Sequence, residues 1–102
     1  MENYEILFQA IVADIPGAKA SKMFGVSCIK APNGKAVAGF HGKYMTVKLD
    51  KATEQETLAL DGVEVFNPTG KRPMNGWLQV PIHNADQWSY LAKKAFDFVK
   101  TL

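Results

Sequence analysis

The stretch "SKMFGVSCIKAPNGKAVAGFHGKYMTVKLD", residues 21–50, decides the fold. Its apolar residues alternate instead of recurring at three and four, and turn residues cut it into short runs. Asn33-Gly34, set between Cys28-Ile29 and Val37-Ala38, is the strongest hairpin signal in the chain, because both residues accept positive φ. His41-Gly42-Lys43 reads as a second reversal. In the run that follows, Met45, Val47 and Leu49 alternate with Tyr44, Thr46 and Lys48. Successive strand side chains point to opposite faces, so one face is apolar and the other mixed. An antiparallel sheet covered on one side has this pattern.

On the amino-terminal side the period is helical. Tyr4, Leu7, Phe8, Ile11 and Ile15 form one stripe, with Asn3 as a plausible cap and Pro16-Gly17 as the stop. On the carboxy-terminal side, Asp50 or Thr53 opens a short helix. Thr53-x-x-Glu56 has capping-box spacing, Leu58 and Leu60 supply apolar contacts, and Gly62 stands where a left-handed C-terminal cap would fall. "VEVF" resumes as strand, and "GWLQV" reads as a final strand ending at Pro81. Asn84 with Gln87 repeats the cap spacing before a long last helix, whose stripe is Trp88, Leu91, Ala92, Ala95 and Val99. The expected fold is α+β: an N-terminal helix, an antiparallel sheet of about five or six strands with a short inserted helix, and a long C-terminal helix. All 102 residues fit one domain.

Composition narrows the setting. A hydrophobic fraction of 47% with 22% charged residues is that of an ordinary globular chain. No apolar run approaches the roughly 20 residues that span a bilayer, so no membrane association is expected. The amino terminus begins with acid rather than a basic stretch and reads as a helix, not as a signal peptide. Cys28 is the single cysteine, so an internal disulfide is excluded and a cytoplasmic address is expected.

Net charge is only +2, but it is unevenly spread. No carboxylate lies between Ile15 and Leu49, where Lys19, Lys22, Lys30, Lys35, Lys43 and Lys48 all fall. Asp50 to Glu64 then carries five acids against Lys51. Such a chain can present a surface of two signs; equally, the lysines can guard sheet edges against aggregation.

Catalytic chemistry is thinly represented. His41 and His83 have no histidine or cysteine three to five residues away, so a metal site is not expected and both read as turn or strand-end residues. Cys28 sits in a strand, between Ser27 and Ile29, and reads as buried rather than nucleophilic. No cofactor is expected, and no carboxylate lies near a histidine at a spacing that suggests paired acid and base. The segment "NPTGKRPMNGWLQVP", residues 67–81, imitates a phosphate loop at Gly70-Lys71. The earlier glycine is missing, Arg72 replaces the hydroxyl residue, and a strand follows instead of a helix. Lys71 and Arg72 can still meet an anion as charges. Phe66 and Trp77 flank this segment. Both read as core aromatics under the helices; the sharper alternative has Trp77, with Lys71 and Arg72, lining an open sheet face that stacks on a base or ligand ring.

Several short motifs resemble one family. Met23-Phe24-Gly25 follows the first helix, "KYMTVKLD" forms a strand, a short acidic helix ends near Gly62, and "WLQVP" leads into the last helix. In this order, over nearly the whole chain, the sequence resembles the TfoX N-terminal domain family, which is related in shape to the YjbR group. It departs from the family pattern in Val47-Lys48, where Leu-Lys is commoner, and in the longer, more basic loop before Trp77. The resemblance implies a helix–sheet–helix domain, often dimeric. Full-length TfoX proteins regulate competence genes alongside a catabolite activator protein and carry a second domain beyond the one matched here. The expectation is therefore a non-enzymatic regulatory or binding module that engages a protein or DNA partner, or a second copy of itself. Lys48, Lys71, Arg72 and Trp77 form the expected contact surface, and Met23, Phe24 and Gly25 the structural bend. The alternatives are a small enzyme or binder for an anionic small molecule, and a structural oligomeric subunit.

Overall fold

A stripe of apolar residues on an 11-residue helix needs a surface to cover, and here that surface is a sheet. The computed structural model describes residues 4–23, 26–67 and 76–102, with the side chain of Met23 excepted. Helix α1 (Tyr4–Asp14) buries Phe8, Ile11 and Val12, and Ile15 follows just beyond its end. Strands β1 (Lys19–Met23), β2 (Val26–Lys30), β3 (Ala36–Phe40) and β4 (Tyr44–Lys48) come next. They are followed by α2 (Lys51–Leu58), β5 (Glu64–Val65) and β6 (Trp77–Pro81). A 3₁₀ helix (Ile82–Gln87) runs directly into α3 (Trp88–Val99).

The six strands form one sheet in the order β1-β2-β3-β4-β6-β5, every neighbouring pair antiparallel. The fold is α+β, with two strand blocks separated by a short helix. The first block is a meander whose turns are written in its sequence. At the β2–β3 turn the Gly34 N–H donates to the Ala31 carbonyl, and Gly34 holds φ +83°. Pro32, locked at negative φ, occupies the next position, so the loop is longer than a two-residue Asn-Gly turn. The register shift between Ile29 and Lys30 is its consequence in the ladder. The His41-Gly42-Lys43 reversal closes β3 onto β4 through His41 N–H to the Tyr44 carbonyl at 3.0 Å.

Three helix-end expectations give way to other donors and acceptors. The N-cap of α2 is Asp50, whose carboxylate accepts from the Thr53 N–H at 3.2 Å; hydrogen bonding from the Thr53 side chain, helped by this backbone bond, holds the carboxyl below its ordinary value. Thr53 itself is buried inside the helix, so the Thr53–Glu56 box does not form. Gly62 has φ +82°, but the helix ends at Ala59, and Gly62 belongs to the turn after it. Asn84 does not cap α3: its amide donates to the Asp61 carbonyl at 2.7 Å, and the 3₁₀ helix supplies the entry to α3. Strand "VEVF" is also shorter than its pattern, with only Glu64 and Val65 in the ladder.

The core lies on one side of the sheet. Cross-strand pairing aligns Ala20, Ile29, Ala38, Val47, Leu78 and Val65 in a row across all six strands. Phe40, Met45 and Val80 form the next row. Helix α3 covers β3 and β4 with Trp88, Leu91, Ala92, Ala95, Phe96 and Val99. Leu58, Leu60 and Val63 extend the same core from α2 and its exit. Of the expected Met23-Phe24-Gly25 bend, only the backbone of Met23 is described, as the last residue of β1; Phe24, Gly25 and the Asn3 cap lie outside the described residues.

Candidate binding face

With the described helices gathered on one side, no helix among the described residues lies over the other side of the sheet. Strand alternation assigns its residues. Ser21, Cys28, Gly39, Thr46, Gln79 and Glu64 form its central row by direct pairing. Two residues further along, Lys19 pairs with Lys30, Lys48 pairs with Trp77, and the Phe66 N–H donates to the Trp77 carbonyl at 2.8 Å. At the opposite end of the strands lie His41 and Tyr44. Phe66 and Trp77 are therefore not the core aromatics under the helices that the sequence reading expects; Trp77 takes the open-face alternative, and Phe66 joins it there.

Thr46 is only 3% exposed although no described helix covers it. Three rings from three strand ends roof it instead. His41 and Tyr44 stack at 5.0 Å and 16°, Phe66 lies 5.3 Å from His41, and Tyr44 and Phe66 are 6.2 Å apart. The Thr46 hydroxyl sits 3.3 Å from His41 Nε2 and 3.4 Å from the Gly39 carbonyl. Gly39 makes room for this arrangement. A Cβ there would stand 3.1 Å from Thr46 Oγ1 and 3.4 Å from His41 Nε2, so a larger residue crowds the Thr46 hydroxyl and must shift it by a few tenths of an ångström.

Burial against Tyr44 and Phe66 pushes the His41 imidazole below its ordinary value of 6.5. The unfolded chain then binds the proton at higher pH than the folded chain does. Stability contributed by the neutral imidazole is complete above pH 6.5 and declines as pH falls below it. The urea midpoint is expected to fall between about pH 7.5 and about pH 5.5, and the His41→Gln chain to lose that part of the decline. Equal declines in the two chains would assign the pH dependence to other groups.

Lys48 and Trp77 converge as their sequence positions suggested: Lys48 Nζ stands 5.9 Å from the Trp77 ring centroid. Lys71 and Arg72 lie outside the described residues, in the segment joining Asn67 to Gly76. Gly76 is held at the start of β6 by its N–H to Glu54 Oε2 at 3.1 Å and by its carbonyl, which accepts from the Leu49 N–H at 2.9 Å. These bonds fix the strand that carries Trp77. Sequence reading left Lys19, Lys30, Tyr44 and His41 out of the surface. For His41 and Tyr44 the signal was present, because they flank the Gly42-Lys43 turn and are brought side by side when it closes.

The other polar clusters have less to offer a ligand. His83 Nε2 lies 3.5 Å from Asp61 Oδ2 and 2.9 Å from the Asp61 carbonyl, but the side chains are 54% and 99% exposed. On the helix side, a cleft of about 290 Å³ is lined by Ile15, Pro16, Lys93, Phe96, Asp97 and Lys100. Its cations already have partners, Lys93 with Asp14 at 3.4 Å and Lys100 with Asp97 at 3.3 Å. Cys28 is buried. Among the described residues no group of three or more histidine, cysteine, aspartate or glutamate side chains is placed to hold a metal ion, and no helix is long and apolar enough to cross a membrane. No protein-family model, no curated protein and no solved structure matches this chain.

Proposed function

We propose that this chain is a non-enzymatic regulatory or binding module of the TfoX N-terminal type, and that it engages an anionic partner through the helix-free face of its sheet. The observation that carries this reading is the convergence of Lys48 and Trp77 on that face, with Lys19 and Lys30 in the same row. Contact through a sheet edge is the weaker alternative. The β1 edge carries exposed Lys19 and Lys22, and the β5 edge offers a ladder of only two residues, so both resist strand addition. The family resemblance supports a binding role on independent grounds, through the order of its motifs.

The test is a residue-resolved amide NMR titration with a short DNA duplex and, separately, with a heparin fragment, at about 50 mM and about 200 mM salt. Shifts are expected at Lys30, Lys48 and Trp77, weakening steeply at the higher salt. Lys71→Ala and Arg72→Ala are expected to weaken the same titration. Spectra that stay silent with both polyanions at the lower salt would refute the reading.

A further inference from the structure

Resting on that reading, we infer that the partner of the helix-free face is a single-stranded nucleic acid, held by its phosphates on Lys19, Lys30 and Lys48 and by its bases on the rings of Trp77, Phe66 and Tyr44.

Three observations carry it. The first is charge without a partner. Among the described residues the ion pairs are His83–Asp61, Lys93–Asp14 and Lys100–Asp97. None includes Lys19, Lys30 or Lys48. Lys19 and Lys30 stand directly opposite each other on neighbouring strands, an arrangement that costs stability unless an anion lies between or above them. The one carboxylate among the strand residues of this face is Glu64, at the far edge on β5. Cations therefore occupy the β1–β4 side, and the counter-charge is supplied from outside.

The second is the placement of the rings. Trp77 continues the lysine row towards β5, and the Phe66 ring, its backbone beside Trp77, reaches to the other end of β4, 6.2 Å from Tyr44, which stacks on His41. Phosphate contact needs only the lysines. Aromatic rings beside them add what a base-free polyanion cannot use, because every base has a π-face and stacking on a side-chain ring tolerates any sequence.

The third is shape. The row from Lys19 to Phe66 crosses five inter-strand steps of about 4.8 Å, or roughly 24 Å. A duplex major groove is about 12 Å wide and admits a helix or a two-stranded ribbon, not the broad face of a six-stranded sheet. Duplex bases are stacked inside and beyond the reach of the rings. A single strand laid across the face exposes phosphates and bases together, and the row suits a site of about four nucleotides or more.

The experiment uses the intact chain and a fluorescently labelled 12-nucleotide oligo(dT), with a 12-base-pair duplex and poly-glutamate as competing anions. Binding is read by anisotropy and by quenching of tryptophan emission. Trp88 is fully buried, so quenching on binding reports Trp77. The expected result is saturable, quenching binding of oligo(dT), about tenfold tighter than the duplex, with Trp77→Ala weakening it about tenfold. Lys30→Gln with Lys48→Gln, which leaves the aromatic side chains in place, is expected to flatten the salt slope by about 1.4, from about 0.7 per lost phosphate contact. If the duplex or poly-glutamate binds as tightly and quenches as strongly, the face is an anion surface without base stacking; the single-strand inference is overturned and the binding reading stands. If none of the three binds at about 50 mM salt, both are overturned.

Discussion

Replacing Trp88 with alanine is expected to lower the unfolding free energy by about 3–5 kcal/mol, the largest loss from any single truncation in this chain. Against a total of about 5–15 kcal/mol for a domain of this size, that is enough to leave a substantial unfolded fraction at 37 °C. The indole is fully buried where α3 begins, and it heads the largest fully buried side chains of the core. It joins three elements. Its ring lies 6.0 Å from Tyr4 of α1 and 6.0 Å from Phe40 of β3, and its Nε1–H donates to the Val80 carbonyl of β6 at 3.1 Å. Truncation removes the packing that holds both long helices over the same sheet face, and it leaves a void that neither helix can fill without leaving the strands. Trp88→Phe separates the two contributions. It keeps a ring for Tyr4 and Phe40 but loses the donor, and it is expected to cost about 1–2 kcal/mol. Urea unfolding at constant m-value measures both. A Trp88→Ala loss below about 1 kcal/mol would mean that the site collapses freely and that the helices are held elsewhere.

That keystone was legible in the sequence, because Trp88, Leu91, Ala92, Ala95 and Val99 recur at helical spacing and all are buried. The hairpins were legible for a related reason: Asn33-Gly34 and His41-Gly42-Lys43 carry their turn chemistry locally. Helix ends were harder to read. Asp50, Thr53 and Glu56 all have side chains able to cap, and only the fold selects Asp50. Asn84 satisfied the spacing rule but was drawn to the Asp61 carbonyl, 23 residues away in sequence. The candidate face was half legible. Alternation placed Lys48 opposite in sense to Val47, but its pairing with Trp77 crosses the α2 excursion and follows from no local pattern. Burial of Thr46 was hidden altogether, since the rings that roof it arrive from β3, β4 and β5.

Gly62→Ala is expected to cost about 2 kcal/mol, the larger part from backbone conformation. Gly62 holds φ +82°, in the left-handed region that a Cβ disfavours by about 1–2 kcal/mol. The added atom would also meet a neighbour: it would lie 2.7 Å from His83 Cε1 and 3.2 Å from the Pro81 ring. The imidazole can swing away, because it is more than half exposed, but it then gives up its 2.9 Å contact with the Asp61 carbonyl. Asn84 still donates to that carbonyl at 2.7 Å, so the turn between α2 and β5 keeps one of its two ties to the entry of α3. The Pro81 ring has less freedom, being fixed in β6 opposite Tyr44. A double-mutant cycle with His83→Ala divides the cost. Removing the imidazole relieves the overlap but not the φ strain, so Gly62→Ala in the His83→Ala background is expected to retain more than half of its effect. A Gly62→Ala cost that vanishes in that background would show that overlap alone governs the site. Retention of the full cost would place it in the backbone and the Pro81 contact.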